Sequence, residues 1–317
     1  MSAITVEDDL IHYEVLGRGK PIILLHSWLG SWRYWVPTMQ QLAVKYRCYA
    51  IDLWGFGDSG RNPERYTIDQ QTNLLDQFMD RMGIRKTVLI GHGLGAVIAA
   101  RFANLPQHRE KVHRMMVVSP PLFDLNPKST ALTTNKIVEV TDGVEAAPET
   151  LPIIPVVTAK AVLEEVRQVD TDHPAVYIRK LLASVKYAED IVHHAISETS
   201  PDYDKLKKEV SKADYKAVEQ GARGSVDVKT FRDIMEVSVP AVVIIGGGDR
   251  LVAQPSDDVL QALVDNRPNL KLLVMQNSQH YPMLEENTQF VRLLKEFLEE
   301  PDVANLVLKE EWRRRKR

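Results

Sequence analysis

Two late segments each run from an apolar stretch into a residue able to hold or move a proton. Residues 241–245 lead into Gly246-Gly247-Gly248-Asp249-Arg250, and residues 271–275 lead into Ser278-Gln279-His280-Tyr281. Histidine titrates near neutral pH, and a carboxylate beside it fixes one tautomer and stabilises the charged imidazole. A lone histidine is ordinarily a surface or hydrogen-bonded one, but the repeated context, strand then acid and strand then histidine, favours a working Asp249–His280 pair. Asp124, after an earlier apolar run, is the rival acid. Upstream, Val88-Leu89-Ile90-Gly91-His92-Gly93-Leu94-Gly95-Ala96 carries an apolar run into a glycine-framed turn. A dinucleotide-binding fingerprint would need a third glycine further on and a later acid. Residue 96 is alanine and no such acid follows, so that reading fails.

The elements that must position these residues alternate. Residues 4–7 and 11–15 read as a leading pair of strands, followed by strands at 21–25, 47–52, 86–90 and 112–119. Residues 68–82 have helical spacing at Leu74, Leu75, Phe78 and Met82, with Gly83 suited to the stop. Residues 94–104 read as an alanine-rich helix. The rhythm then stops, and residues 121–236 hold helical, charged stretches such as 159–168, 175–194 and 202–220 with no strand between them. Strands return at 241–245 and 271–275, and residues 287–299 close the chain as a helix. The expectation is an α/β fold: a mostly parallel sheet flanked by helices, core residues 1–120 and 237–317, with a helical cap of residues 121–236 inserted after the sixth strand.

The glycine-framed turn resembles the nucleophile elbow of the α/β-hydrolase family, G-x-S-x-G, with Gly93 in the serine's place. The chain order 93, 249, 280 matches that family's order of nucleophile, acid and histidine. The loop Leu24-Leu25-His26-Ser27-Trp28-Leu29-Gly30-Ser31 resembles the family's H-G-[FW] oxyanion loop, with Ser27 where glycine is usual. The resemblance implies that the backbone N–H groups of Trp28 and Leu94 hold a developing oxyanion, and that Trp28, His92, Trp54 and Tyr281 line the substrate pocket under the cap. Ser27 offers itself as a displaced nucleophile, but the expectation is a loop serine bonded to the backbone, since nothing in the sequence orients it as an elbow would. Residues 51–60 resemble the family's D-x-x-G-x-G-x-S segment, where Asp52 and Ser59 serve loop structure.

Glycine has no atom that can attack a carbonyl, so the family's usual covalent route through residue 93 is closed. Three readings follow. The chain is an esterase-type hydrolase with its nucleophile replaced, a cofactor-independent general-base enzyme of lyase or oxygenase type, or a ligand-binding pseudoenzyme. The first is favoured, and retention of both Asp249 and His280 argues against the third, since a binding module has no need of that pair. Under it, His280 Nε2 should face a water-sized gap beside Gly93, and Gly93→Ser should restore ester hydrolysis.

A formal net charge of -3 gives no general attraction to nucleic acid or an anionic membrane. The single cysteine, Cys48, excludes an intrachain disulfide and fits the cytoplasm. No basic-then-apolar leader or bilayer-length apolar run is present, and the basic end, residues 312–317, reads as solvated. His193 and His194 are adjacent and no Cys/His cluster has ligand spacing, so neither a metal nor a cofactor is expected. The expected partner is a small molecule with a carbonyl group, in an assembly of unspecified size.

Overall fold

The computed structural model describes residues 2–122, 188–252, 257–265 and 267–308. Its eight strands, β1 (Ser2–Val6), β2 (Asp9–Gly17), β3 (Lys20–Leu25), β4 (Tyr46–Ile51), β5 (Thr87–His92), β6 (Val112–Val118), β7 (Ala241–Gly246) and β8 (Leu270–Met275), form one sheet in the order β1-β2-β4-β3-β5-β6-β7-β8. The first two strands pair antiparallel with their neighbours, and from β4 to β8 all pairings are parallel. Parallel strands need a helix to cross back, so both faces are covered and the inner strands are apolar on both sides. The runs Ile22–Leu25, Leu89–Ile90, Met115–Val118 and Ala241–Ile245 are accordingly buried throughout.

The crossing helices are α1 (Val36–Leu42), α2 (Ile68–Arg81) and α3 (Leu94–Asn104). The hydroxyl of Thr67 caps α2 by accepting from the N–H of Gln70, and Gly83, at φ +67°, ends it. Helix α3 is buried along nearly its whole length, which its alanines permit, because small side chains let it lie close to the sheet.

After β6 the chain leaves the sheet. Four helices follow among the described residues before β7: α4 (Ala188–Ala195), α5 (Tyr203–Val210), α6 (Tyr215–Asp227) and α7 (Thr230–Glu236). Strands β6 and β7 nonetheless pair directly, with Val118 beside Ile244, so the helical insertion leaves and rejoins the sheet without interrupting it. The helical stretch expected over 202–220 holds two helices, α5 and α6. The break falls at Asp214, whose side chain accepts from the N–H of Lys216 to start α6 while its own N–H donates to Gly55 O at 2.7 Å. The expected helix at 159–168, most of that at 175–194, the rival acid Asp124 and the basic end lie outside the described residues. The fold closes with α8 (Asp257–Val264), α9 (Pro282–Glu285) and α10 (Asn287–Glu299).

Candidate active site

The strand order reverses between β3 and β5, since β4 lies to one side of β3 and β6 to the other side of β5. In open α/β sheets ligands bind beyond the carboxyl ends of the strands at such a point. The loops leaving β3, β5, β6, β7 and β8 deliver Ser27, Gly93, Ser119, Asp249 and His280 to that edge.

The turn after β5 is tight. Gly93 has φ +52° and ψ -110°, a backbone region that side-chain-bearing residues adopt only under strain. Its flanking glycines are required by close approach. A Cβ on Gly91 would lie 2.1 Å from Gly95 O, and one on Gly95 would lie 2.5 Å from Leu25 O.

Beyond β7 and β8, Asp249 Oδ2 lies 2.8 Å from His280 Nδ1, and both side chains are fully buried. The N–H groups of Leu251 and Val252 donate to Asp249 Oδ1 at 2.9 and 3.0 Å, which holds the carboxylate in place. With Nδ1–H donated to the carboxylate, His280 Nε2 is left as an acceptor.

What faces that nitrogen differs from the sequence-based expectation. The space beside Gly93 is filled rather than open. Ser27 Oγ stands there, 3.1 Å from His280 Nε2. A Cβ built on Gly93 would be 2.0 Å from Ser27 Oγ, 2.8 Å from Ser27 Cβ and 3.1 Å from Trp28 Cζ3. The serine expected to bond the backbone thus spends its hydroxyl on the histidine, in space that residue 93 would fill if it had a side chain.

The backbone of Ser27 is held at both ends. Its N–H donates to Tyr34 Oη at 2.7 Å, and its carbonyl lies 2.8 Å from His26 Nδ1, whose Nε2 accepts from the N–H of Leu53 at 3.0 Å. Tyr34 Oη also lies 2.8 Å from His92 Nδ1, and His92 Nε2 donates to His280 O at 2.7 Å. A continuous chain therefore runs from the amide of Ser27 through Tyr34 and His92 to the carbonyl of His280. Burial, with the neighbouring His280, holds His92 well below the usual histidine range, so it stays neutral and can accept at one nitrogen while donating from the other. Ser119, at φ +46°, adds a hydroxyl bond to His280 O at 3.1 Å.

The residues expected to line the pocket are tied into this network and the core around it. Both ring nitrogens of His92 are committed inside the protein, and the Tyr281 hydroxyl donates to Leu29 O. Trp54 is completely buried, with its backbone N–H and carbonyl bonded to the Gln71 side chain. Trp28 stays at the site, its ring stacked on the imidazole of His280 at 6.3 Å between centroids. The N–H of Leu94 is the first of α3 and has no acceptor within the helix, and that of Trp28 follows Ser27 directly. Among the described residues neither amide has a backbone acceptor.

The insertion covers this edge. A Cβ on Gly221 of α6 would stand 3.1 Å from Leu94 Cδ2 and 3.4 Å from Trp28 Cδ1, and the N–H of His280 donates to Ala195 O at the end of α4. Asp52 lies apart from the site, accepting from the N–H groups of Trp32 and Asp58 and paired with His12 Nδ1 at 2.8 Å.

A family defined by the α/β hydrolase fold matches residues 20–287. The chain belongs to that family. A pimeloyl-acyl-carrier-protein methyl ester esterase from Aeromonas salmonicida is 25% identical over 296 residues, 91% of this chain and 99% of the relative. A soluble epoxide hydrolase from Corynebacterium sp. is 33% identical over 134 residues, and the match spans 40% of this chain and 46% of that protein. A bifunctional epoxide hydrolase 2 from Rattus norvegicus is 31% identical over 144 residues, 43% of this chain but only 25% of that protein. In three dimensions an esterase from Exiguobacterium antarcticum superposes with a TM-score of 0.68 at 16% identity, over 94% of this chain and 98% of the other, which speaks for the fold alone. Within this α/β hydrolase, Gly93 occupies the sharp turn between β5 and α3. Tyr34 and Ser119 are the site residues that no sequence motif announced.

Proposed function

We propose that the chain hydrolyses a small carboxylic ester or a similar carbonyl compound, with Asp249–His280 as its base and the N–H groups of Trp28 and Leu94 as its oxyanion donors. The carrying observation is the buried pair at 2.8 Å whose free nitrogen faces a hydroxyl at 3.1 Å. A binding protein has no use for a desolvated acid–base pair held on both sides. The ester is preferred to an epoxide because similarity to the methyl ester esterase runs over 91% of this chain, against 40% and 43% for the two epoxide hydrolases.

The helical insertion acts as the cap, and substrate reaches the pair when the side chains that cover it move. Among the described residues no helix is long and apolar enough to cross a membrane. The single buried cysteine supports a cytoplasmic setting. A second reading, general-base attack on water or on a substrate C–H or O–H, draws on Gly93, which leaves the turn after β5 without a nucleophile.

The test is a panel of aryl and methyl esters and lactones offered to the purified chain and to His280→Ala. Hydrolysis of at least one class, reduced at least about 10²-fold in the variant, is expected, since base assistance is worth roughly 10²–10⁴. No hydrolysis of any class, or turnover that a folded His280→Ala retains in full, would overturn the proposal.

A further inference from the structure

Resting on the hydrolase reading just given, we propose that Ser27, from the loop after β3, is the covalent nucleophile of this chain. The side chain absent at residue 93 is replaced by one reaching the same spot from the adjacent strand.

The first argument is position. The imagined Cβ of residue 93 lies 2.0 Å from Ser27 Oγ. At that distance the two cannot coexist, so the hydroxyl oxygen occupies space that a side chain at residue 93 would enter. The second is activation. Nδ1–H of His280 is given to Asp249, so Nε2 must accept, and Ser27 Oγ–H at 3.1 Å is the donor present. A serine is a weak nucleophile until a positioned base takes its proton, and this is that arrangement.

The third argument is rigidity. Ser27 and His280 are both fully buried, and the bonds of Tyr34 and His92 tie the backbone of one to the backbone of the other. A serine kept only to cap a histidine would not need its amide fixed to the same unit as the base. The fourth is the oxyanion donors. In an elbow the amide following the nucleophile is one of them, and here the amide following Ser27 is that of Trp28, while Leu94 N–H remains at the start of α3. The exchange is also sterically exclusive, since a serine at 93 and a serine at 27 cannot both hold these positions.

The chemistry balances without a further reactant. Ser27 Oγ bonds to the substrate carbonyl carbon as its proton passes to His280 Nε2, and the carbonyl π pair moves onto oxygen. Collapse of that oxyanion breaks the bond to the leaving alkoxide, which takes the proton from Nε2. Water then loses a proton to Nε2 and attacks the acyl carbon. Collapse releases the carboxylic acid, and the proton returns to Ser27.

The test uses the full chain and an ester it hydrolyses. Turnover is acid-quenched, the protein is digested, and the acyl group is located by mass. A fluorophosphonate is run in parallel. The expected result is an acyl or phosphonyl adduct on the peptide containing Ser27, absent from Ser27→Ala and from His280→Ala, with kcat/KM of Ser27→Ala lowered at least about 10³-fold. An adduct on another residue would overturn the proposal. So would a folded Ser27→Ala that turns over within about tenfold of the parent, or one that loses turnover while the parent gives no adduct. Each of those outcomes leaves hydrolysis by His280 standing. Absence of hydrolysis by the parent overturns both claims.

Discussion

The shared space between Gly93 and Ser27 makes a quantitative prediction about exchanging them. Gly93→Ser alone puts a Cβ 2.0 Å from Ser27 Oγ and 2.8 Å from Ser27 Cβ, so one hydroxyl must leave His280. Holding a non-glycine residue at φ +52°, ψ -110° costs about 1–3 kcal/mol. Displacing the buried bond to His280 costs a further ~1 kcal/mol. The reduced freedom of the unfolded chain returns roughly 0.5–1 kcal/mol. The single variant should therefore be destabilised by about 2 kcal/mol. Ser27→Gly alone loses the same hydrogen bond and adds a glycine's unfolded-state entropy, again about 2 kcal/mol. In Ser27→Gly/Gly93→Ser the glycine count is unchanged, the clash is gone, and the serine introduced in place of Gly93 can take the bond to His280. Only the turn strain remains, about 2 kcal/mol. The singles then sum to about 4 kcal/mol against about 2 kcal/mol for the pair, a coupling of about 2 kcal/mol between residues in contact. Urea denaturation of the four proteins with matched m-values measures it. Ester hydrolysis should follow the same pattern, low in both singles and regained in the double. A coupling near zero, or a Gly93→Ser single that outperforms parent and double alike, would refute the reasoning.

Two further outcomes follow. Tyr34→Phe removes the one atom that pairs both Ser27 N–H and His92 Nδ1. Two buried groups left without partners, at about 1–3 kcal/mol each, should lower urea stability by about 2–6 kcal/mol. It should also reduce kcat more than it raises KM. Stability should also fall as the pH drops below 6.5, the ordinary histidine value. His26 and His92 are both held lower than that by burial, so between pH 6.5 and their folded values the unfolded chain binds protons that the native one refuses. Each adds to that loss as the unfolded ring takes up its proton. Denaturation midpoints at pH 6.5, 6.0 and 5.5 check this, and His92→Gln should make the slope shallower. A flat profile would mean that these rings are protonated in the fold.

Much of the frame was legible from local pattern. Buried parallel strands read as continuous apolar runs, as at Ile22–Leu25 and Ala241–Ile245, because both faces are covered. The end of α2 was legible in Gly83, and the sharp turn after β5 in the spacing of Gly91, Gly93 and Gly95, since backbone in contact with backbone leaves no room for a Cβ. The split of 202–220 into α5 and α6 was not, because it is set by a bond from Asp214 N–H to Gly55 O, across the chain. A 3.6-residue periodicity carries no record of it.

The sequence by itself determined that this chain folds as an α/β hydrolase and that residue 93 cannot attack a carbonyl, because both follow from residue type and order along the chain. The tertiary structure alone decided what stands in front of His280. Residues 27 and 280 are 253 positions apart, and their 3.1 Å contact depends on β3 and β5 lying side by side and on the absence of a Cβ at Gly93. It likewise tied His92 between Tyr34 and the backbone of His280, since which partners a buried imidazole finds is set by packing between segments far apart in the chain. A motif records which side chains are available; which of them share a few cubic ångströms is settled only when the sheet brings their loops together.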